Sequence, residues 1–380
     1  MSGRAVPVGR RFLFVERRRA VLAVLGVAAS LLLVLLLNGI FAGAIDRVTY
    51  YIRTSPADVF VSQQGVRTMH MSSSVLPPDA LARVAEVPGV AWVTGIDFTS
   101  GSIGGPNGRQ LSYVIGYDTE LGRGGPARLV AGRPPGMGEA VIDEQAGDQL
   151  GAPLGGSVTV LGTPLRVSGL STAGTSITNT TVFVDSEQFA LLPVAGHGQD
   201  HSASPAYLLV GASAGVDQAI LADRVRTAAP DLAVQTRDEF VASETRVVTD
   251  MSADLLRLMS TVGLAIALAV IALGLMTSTL NRLRDFAVLK ALGSSTARLV
   301  GTVVSQVLWT VGLAAGLATV LAMVVAVALR QVAPDVQIEV TAEASTRTAV
   351  SALVVGLVAA LWPLRRVAAL DPATAFRESR

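Results

Sequence analysis

Two common catalytic residue types are sparse or absent in this 380-residue chain, which has three histidines and no cysteine. Residues Gly211–Gly215 read GASAG and match the Gly-x-Ser-x-Gly turn that presents a nucleophilic serine between a strand and a helix. In that arrangement the histidine base follows the serine, whereas the last histidine here is His201. Ser213 is therefore interpreted as part of a glycine-rich turn, and the sequence predicts no catalytic residue.

One polar cluster has residue types that could bind a metal ion. His197 and His201, with Asp200 between them, have a spacing that would hold a metal ion on one face of a helix. Gly196 and Gly198 disfavour a helix at this point, so the ligands would be poorly held. The segment is interpreted as a solvated loop, and no metal site is predicted.

Hydrolysis of ATP by a P-loop is excluded by the position of the only lysine, Lys290, which is followed by Ala291. A Walker A loop requires Gly-Lys-Ser/Thr, because its lysine reaches the nucleotide phosphates. The chain therefore has no P-loop, and any ATPase must be another subunit. No cofactor and no nucleic-acid partner are predicted for this chain, which is interpreted as a non-catalytic protein.

Composition points to an integral membrane protein, because 51% hydrophobic residues and a mean hydropathy of +0.52 are too high for an ordinary soluble enzyme. A helix crosses the bilayer with about 20 apolar residues. Four spans are predicted, over residues 20–45, 255–280, 300–329 and 348–364. They are flanked by a basic interfacial segment (1–19), a large domain with its stalk (46–248), a loop (281–299), an outer loop (330–347) and a tail (365–380).

The loop between the second and third spans, residues 281–299, has a strong charge bias. Its basic residues are Arg282, Arg284, Lys290 and Arg298. An excess of Lys and Arg in a short loop marks the cytoplasmic side of a membrane, which places both termini inside and residues 46–248 outside. Phe286, Leu289 and Leu292 recur at helical spacing, so a short amphipathic helix ended by Gly293 is predicted.

This loop resembles the coupling segment of FtsX-like and MacB-like permeases of ABC transporters, where a pattern close to Arg-Glu-x-Ala-x-Leu-Lys-Ala-Leu-Gly follows the second membrane helix. The matching positions are Arg284, Asp285, Ala287, Leu289, Lys290, Ala291, Leu292 and Gly293. Asp285 departs from the usual Glu but keeps the charge. The resemblance implies that these residues, together with Phe286, dock on a separate ATPase dimer, which would bind ATP and Mg²⁺.

Residues 46–248 change character to a mixture of strand-like and helical segments, which predicts an extracytoplasmic α+β domain. Predicted strands cover Asp58–Val61, Val90–Ile96, Leu111–Tyr117, Ala140–Ile142, Ser157–Leu161, Leu165–Leu170, Val182–Val184 and Ala206–Val210, and helices cover Pro78–Glu86 and Val216–Ala228. Its middle, about residues 120–190, resembles the periplasmic core domain of MacB-like permeases through Gly132–Pro134, Glu139–Ile142, Gly155–Val158 and Val167–Leu170.

Two features of the membrane helices bear on how such a protein would work. Asp238–Asp254 is polar and amphipathic, and it continues either as one rod into the second span or as an ordinary linker. In the third span, Gly312 and Gly316 form a small-xxx-small step that permits close contact with a second subunit. The tail also resembles the family's C-terminus, in the stretch Ala368–Arg377.

The resemblance implies an ABC transporter permease in the bacterial cytoplasmic membrane, paired with an ATPase dimer, a second permease copy or similar chain, and membrane lipid. Few ionisable residues fall within the spans, which favours a hydrophobic or amphiphilic substrate that is exported or extracted over an ion pathway. Two alternatives stay open: mechanotransmission to an extracytoplasmic partner protein such as a cell-wall hydrolase, and a membrane-anchored receptor with no ATPase.

Overall fold

The computed structural model describes residues 17–70, 72–172, 179–194, 204–281, 288, 295–332 and 338–368. The chain divides into two compact units. The helical unit comprises Met1–Gly43 and Ser252–Arg380, and the α+β domain comprises Ala44–Met251. The elements in chain order are α1 (Arg17–Thr54), β1 (Val59–Gln63), α2 (Ala80–Ala85), β2 (Val90–Gly105), β3 (Gly108–Tyr117), β4 (Leu129–Gly132), β5 (Glu139–Asp143), α3 (Glu144–Leu150), β6 (Ser157–Val160), β7 (Thr163–Ser171), β8 (Asn179–Asp185), α4 (Ser186–Ala190), β9 (Tyr207–Ala212), α5 (Gln218–Ala228), β10 (Leu232–Thr236), α6 (Arg237–Asn281), α7 (Thr296–Val332) and α8 (Ala342–Ala368).

Within the described residues, four helices are long and apolar enough to cross a membrane. Their apolar stretches are Val21–Thr54, Arg257–Thr277, Thr296–Leu329 and Ala342–Trp362. The protein is therefore a multi-pass membrane protein of mixed α and β structure, with the α+β domain inserted between its first and second spans.

The helical unit packs through small residues. On α7, Ala314, Ala318 and Ala322 recur every four residues and are fully buried in a core that α1, α6 and α8 also line. On α8, a Cβ placed on Gly356 would lie 3.0 Å from Val307 and 3.1 Å from Val311 of α7. Small side chains at these positions let the helix backbones approach closely, as is usual for helices in a membrane.

The α+β domain is built on one mixed sheet, to which ten of the described strands belong. Neighbouring strands follow the order β10-β1-β9-β2-β3-β8-β5-β7-β4, and β6 pairs with β2 and β7. The pairs β3–β8 and β5–β7 are parallel, whereas β1 pairs antiparallel with both β9 and β10. The first strand of the domain, β1, is therefore hydrogen-bonded to its last two strands, β9 and β10.

Alternation along the strands divides the core between the two faces of the sheet. On β1, Phe60 lies in one hydrophobic cluster, whereas Val59 and Val61 lie in another with α2 and α5. The Phe60 cluster also contains Tyr51 of α1 and Phe240 of α6. Successive side chains of a strand point to opposite faces of the sheet. The end of α1 and the start of α6 are therefore buried against the same face, that of Phe60.

The first helix is longer than the predicted span of residues 20–45, because it begins at Arg17 and continues to Thr54. Its last turns keep the helical path because Tyr51 and Ile52 are buried in the core of the α+β domain. Tertiary burial of this kind outweighs the polar character that ended the prediction at Ile45. Of the predicted interfacial segment, residues 1–19, the first 16 residues lie outside the described residues.

The fourth membrane-spanning helix, α8, is also longer than its predicted bounds of 348–364. It begins at Ala342 and ends at Ala368. Residues 342–347, which were predicted to belong to the outer loop 330–347, are helical because Thr341 caps the start of the helix. The Thr341 hydroxyl accepts a hydrogen bond from the Ala344 N–H at 3.1 Å. Pro363, where the span was predicted to end, lies inside the helix, which membrane helices tolerate.

Candidate functional site

The first turn of α6 follows β10 directly and begins with a reciprocal cap. The Thr236 N–H donates to Glu239 Oε2 at 2.9 Å, and the Glu239 N–H donates to Thr236 Oγ1 at 3.2 Å. This capping box, read from the sequence Thr-Arg-Asp-Glu, satisfies two N–H groups at the helix start. Asp238 and Glu239 add negative charge to the first turn, which the helix dipole favours.

Asp58 joins this helix start to the sheet. Its backbone carbonyl accepts from the Arg237 N–H at 2.9 Å, and its Oδ1 accepts from the Arg237 guanidinium at 3.0 Å. The other carboxylate oxygen accepts from the Ala212 N–H at 2.8 Å, at the end of β9. One half-buried carboxylate thus ties together the start of β1, the end of β9 and the start of α6.

One turn further along α6, Phe240 is buried among aromatic residues of the sheet. Its ring lies 4.9 Å from that of Phe60 on β1 and 6.2 Å from that of Tyr207 on β9. The Tyr207 hydroxyl donates to the Thr68 carbonyl at 3.1 Å, and burial raises the pKa of this phenol well above its usual value. Aromatic contacts of this geometry add specificity to simple burial.

The next turn places a fully buried carboxylate, Glu244, against the segment after β1. Its Oε1 accepts hydrogen bonds from the backbone N–H groups of Met69 and His70, the latter at 3.2 Å. Its Oε2 lies 3.3 Å from Nδ1 of His70. The root of α6 is the set of contacts from Thr236 to Glu244, and it extends over more than two helical turns.

The end of α1 is fixed in the same cluster. The Tyr51 hydroxyl donates to the Gly124 carbonyl at 2.8 Å, and its ring lies 6.0 Å from that of Phe183. Gly124 has φ of +89°, and a Cβ at this position would lie 2.6 Å from Ile96. Glycine is needed here for both its conformation and its small size.

The predicted coupling residues fall outside this region. Residues 282–287 and 289–294 lie outside the described residues, so the assignment of Arg284, Asp285, Phe286, Leu289, Lys290, Ala291, Leu292 and Gly293 stays a prediction. Gly312 and Gly316 are described and lie on the exposed face of α7. Among the described atoms, none comes within 4 Å of a Cβ built on either glycine. Their role in subunit packing stays a prediction.

The structure supports the interpretation of Ser213 as a turn residue. Its N–H donates to the Gly89 carbonyl at 2.8 Å and its carbonyl accepts from the Val216 N–H at 3.0 Å, while Gly215 has φ of +82°. The side chain of Asp217 then caps α5 by accepting from the Ala219 N–H at 2.8 Å. No group of three metal-ligating side chains occurs among the described residues, and the predicted loop with His197 and His201 lies outside them.

A cleft of about 940 Å³ between α2 and α5 is open to solvent. Three of its charged side chains, Arg83, Asp223 and Arg224, are held by neighbouring groups, and Asp223 accepts from Arg226 at 2.7 Å. Arg83 donates to both oxygens of Asp231 at 2.8 and 2.9 Å, which lowers the pKa of that carboxyl, and Arg224 donates to the Pro88 carbonyl at 2.9 Å. Most charges in the described lining of the cleft are therefore paired, and they do not point to a ligand.

Sequence reasoning placed the functional signal in the loop after α6 and missed the root at its start. The Thr236-x-x-Glu239 spacing was available as a helix-start signal. A second signal was Glu244, which lies four residues after Phe240 and therefore on the same face of the helix. An acidic residue on an apolar face suggests a buried partner, although the sequence does not identify Met69 and His70 as that partner.

Comparison with known proteins gives the family. A family model of the MacB-like periplasmic core domain matches residues 20–228, and a model of the FtsX-like permease C-terminal region matches residues 257–372. The chain belongs to the FtsX-like and MacB-like permeases of ABC transporters.

Relatives of similar length share this membership. The chain is 29% identical over 370 residues to an uncharacterized ABC transporter permease of Mycobacterium tuberculosis, covering 95% of this chain and 96% of that protein. It is 26% identical over 364 residues to another from Mycobacterium bovis, with coverage of 95% and 96%. The crystal structure of the periplasmic region of MacB from Actinobacillus actinomycetemcomitans aligns with a TM-score of 0.36 at 16% identity, over 50% of this chain and 94% of that one.

Proposed function

We propose that the chain is the membrane subunit that converts ATP hydrolysis by a separate ATPase dimer into movement of its α+β domain. The observation that carries the proposal is the continuity of α6, a helix of 45 residues from Arg237 to Asn281. At 1.5 Å per residue it is about 67 Å long. Its start is fixed in the α+β domain, and its end directly precedes the predicted coupling residues.

In this function the chain has no catalytic role of its own, and ATP and Mg²⁺ are bound by the partner. Basic residues on both sides of the coupling segment, including Arg298, support a cytoplasmic position for it. Arg365 and Arg366 support the same side for the C-terminal tail. The α+β domain is then extracytoplasmic, and the complex contains two permease copies or this chain and a similar one.

The proposed output is the export or extraction of a hydrophobic or amphiphilic molecule. The match to the MacB-like core domain over residues 20–228 supports this output, as does the scarcity of ionisable residues within the spans. The continuity of α6 would equally serve a second function, the mechanical regulation of an extracytoplasmic partner protein. Membership of the permease family disfavours a receptor that works without an ATPase.

Co-purification of an ATPase with the full chain from its own membranes tests the coupling assignment. Wild type is compared with Leu289→Asp and Gly293→Pro, and with Leu121→Asp as control. Leu121 is 60% exposed in the α+β domain, so the control adds the same charge at a distant position. We expect wild type and the control to retain the ATPase and both loop variants to lose it. Absence of an ATPase from the wild-type sample in mild detergent would overturn the proposal.

A further inference from the structure

The segment that Glu244 contacts, residues 66–70, is called the strap here. It follows β1 after a turn in which Gly65 has φ of +87° and the Val66 N–H donates to the Gln63 carbonyl at 3.0 Å. The Ser62 hydroxyl donates to the Val66 carbonyl at 2.7 Å, so the strap is joined closely to β1. Any displacement of the strap therefore acts on a strand that lies between β9 and β10.

Thr68 and Met69 of the strap are buried between the sheet and α6. Met69 is 1% exposed and lies in the aromatic cluster of Phe60 and Phe240. The His70 ring lies 4.5 Å from that of Tyr113 and 5.9 Å from that of Phe98, both edge-on. These contacts hold the strap on one side, and the Glu244 carboxylate holds it on the other.

Burial of a carboxylate is costly unless hydrogen bonds and charge compensate it. Glu244 Oε1 gains this compensation from two consecutive backbone N–H groups, those of Met69 and His70, whereas Oε2 lies 3.3 Å from His70 Nδ1 without a hydrogen bond. An apolar residue at this position would fill the core without such a requirement, and it could not hold the backbone of the strap. The carboxylate therefore gives a directional attachment that hydrophobic packing alone would not supply.

We propose that Glu244 is a positioning residue that clamps the strap to α6, so that displacement of this helix is transmitted to β1 and its neighbours in the sheet. The inference rests on the proposed function, since it names the point at which movement of α6 enters the α+β domain. The backbone N–H groups of Met69 and His70 are the atoms held, so their hydrogen exchange reports directly on the clamp.

Hydrogen exchange measured by mass spectrometry on the full chain with its co-purified ATPase tests the clamp. Without nucleotide, Glu244→Ala should speed exchange in peptides covering the strap by about tenfold or more, because two N–H groups lose a charged acceptor. Strand β3 should exchange as in wild type. With ATP and vanadate, the wild-type strap should change its exchange, and Glu244→Ala should abolish this response while ATP hydrolysis stays within about twofold.

Glu239→Ala is the matched control, because it also removes a glutamate from the root of α6 but leaves the strap contacts in place. It should preserve the nucleotide response of the strap. If Glu244→Ala does not fold, Glu244→Gln keeps the shape and removes the charge, and it should speed strap exchange several-fold. Unchanged strap exchange in whichever variant folds, or an intact nucleotide response in Glu244→Ala, overturns the clamp. Absence of a bound ATPase from the same wild-type sample is the separate result that overturns the proposed function.

Discussion

Phe60 of β1 and Phe240 of α6 stack with their ring planes 3° from parallel and their centroids 4.9 Å apart. Phe60 belongs to the start of the α+β domain and Phe240 to its end, so the stack joins the two ends of the domain's sequence. Both rings are almost fully buried. The long helix that leaves the domain is therefore fixed by core packing as well as by hydrogen bonds.

Truncation of this stack should destabilise the α+β domain. We expect Phe240→Ala to lower its free energy of unfolding by about 3–5 kcal/mol, through lost burial and the cavity left beside Phe60. Trp92 fluorescence in a Trp309→Phe, Trp362→Phe background gives the measurement during denaturant unfolding in detergent. Met251→Ala, at an exposed position of the same helix, should change stability by less than about 0.5 kcal/mol. Equal effects of the two variants would contradict the prediction.

The capping box should contribute a smaller amount. Thr236→Ala removes the side-chain acceptor for the Glu239 N–H, and we expect a loss of about 0.5–2 kcal/mol in the same unfolding measurement. Thr249→Ala is the control, since its hydroxyl only donates to the Thr245 carbonyl within the helix. A loss no larger than that of the control would show that the helix start is fixed by its other contacts.

Asp97 of β2 should make the domain's stability depend on pH. It pairs across the sheet with Gly116, and burial raises the pKa of its carboxyl to about 7. Since the unfolded carboxyl has a pKa of about 3.9, the folded state keeps a proton that the unfolded state releases between these values, and stability falls as pH rises through this window. Asp97→Asn has no ionisable group at this position, so the variant should not lose stability as pH rises through this window.

The gain in unfolding free energy from Asp97→Asn should therefore be near zero at pH 4 and about 2–4 kcal/mol at pH 8. Unfolding of both proteins at a series of pH values provides the measurement, and the pH 4 pair is the internal control. A gain of the same size at every pH would indicate that the substitution acts through packing instead of through the proton.

Much of the sheet could be predicted from alternating apolar residues. The predicted strand Leu111–Tyr117 lies within β3 and the predicted helix Val216–Ala228 contains α5. The strands β4 and β10 were missed, since their sequences, LVAG and LAVQT, do not alternate apolar with polar residues. Strand β2 continues to Gly105 beyond the predicted end at Ile96, because its second half pairs with β3 as one long hairpin.

The candidate site shows a different limit. The sequence does not decide whether α6 is one continuous rod or is interrupted by a linker, because polar residues such as Asp254 carry no signal for tertiary support. Glu244 could not be paired with Met69 and His70 from sequence, since 175 and 174 positions separate the partners. Contacts at such separation depend on the arrangement of the sheet, which local propensity does not determine.

Replacement of a small residue on α7 by leucine should change the stability of the chain at a buried position and leave it unchanged at an exposed one. Ala318 is fully buried within the helical unit, so Ala318→Leu should overpack it and cost about 1–3 kcal/mol. Gly316 lies on the exposed face, where a larger side chain meets no described atom within 4 Å of its Cβ. Gly316→Leu should therefore leave the thermal stability of the single chain unchanged.

If Gly312 and Gly316 lie against a second permease copy, Gly316→Leu should weaken that pairing, because a large side chain separates the helix backbones. Native mass spectrometry of the detergent-purified complex measures the ratio of paired to single permease chains. We expect that ratio to fall at least about fivefold, a change of roughly 1 kcal/mol. Val320→Ala, on the exposed face of the same helix, is the control and should keep the pairing. Intact pairing in Gly316→Leu would assign the subunit contact to another surface.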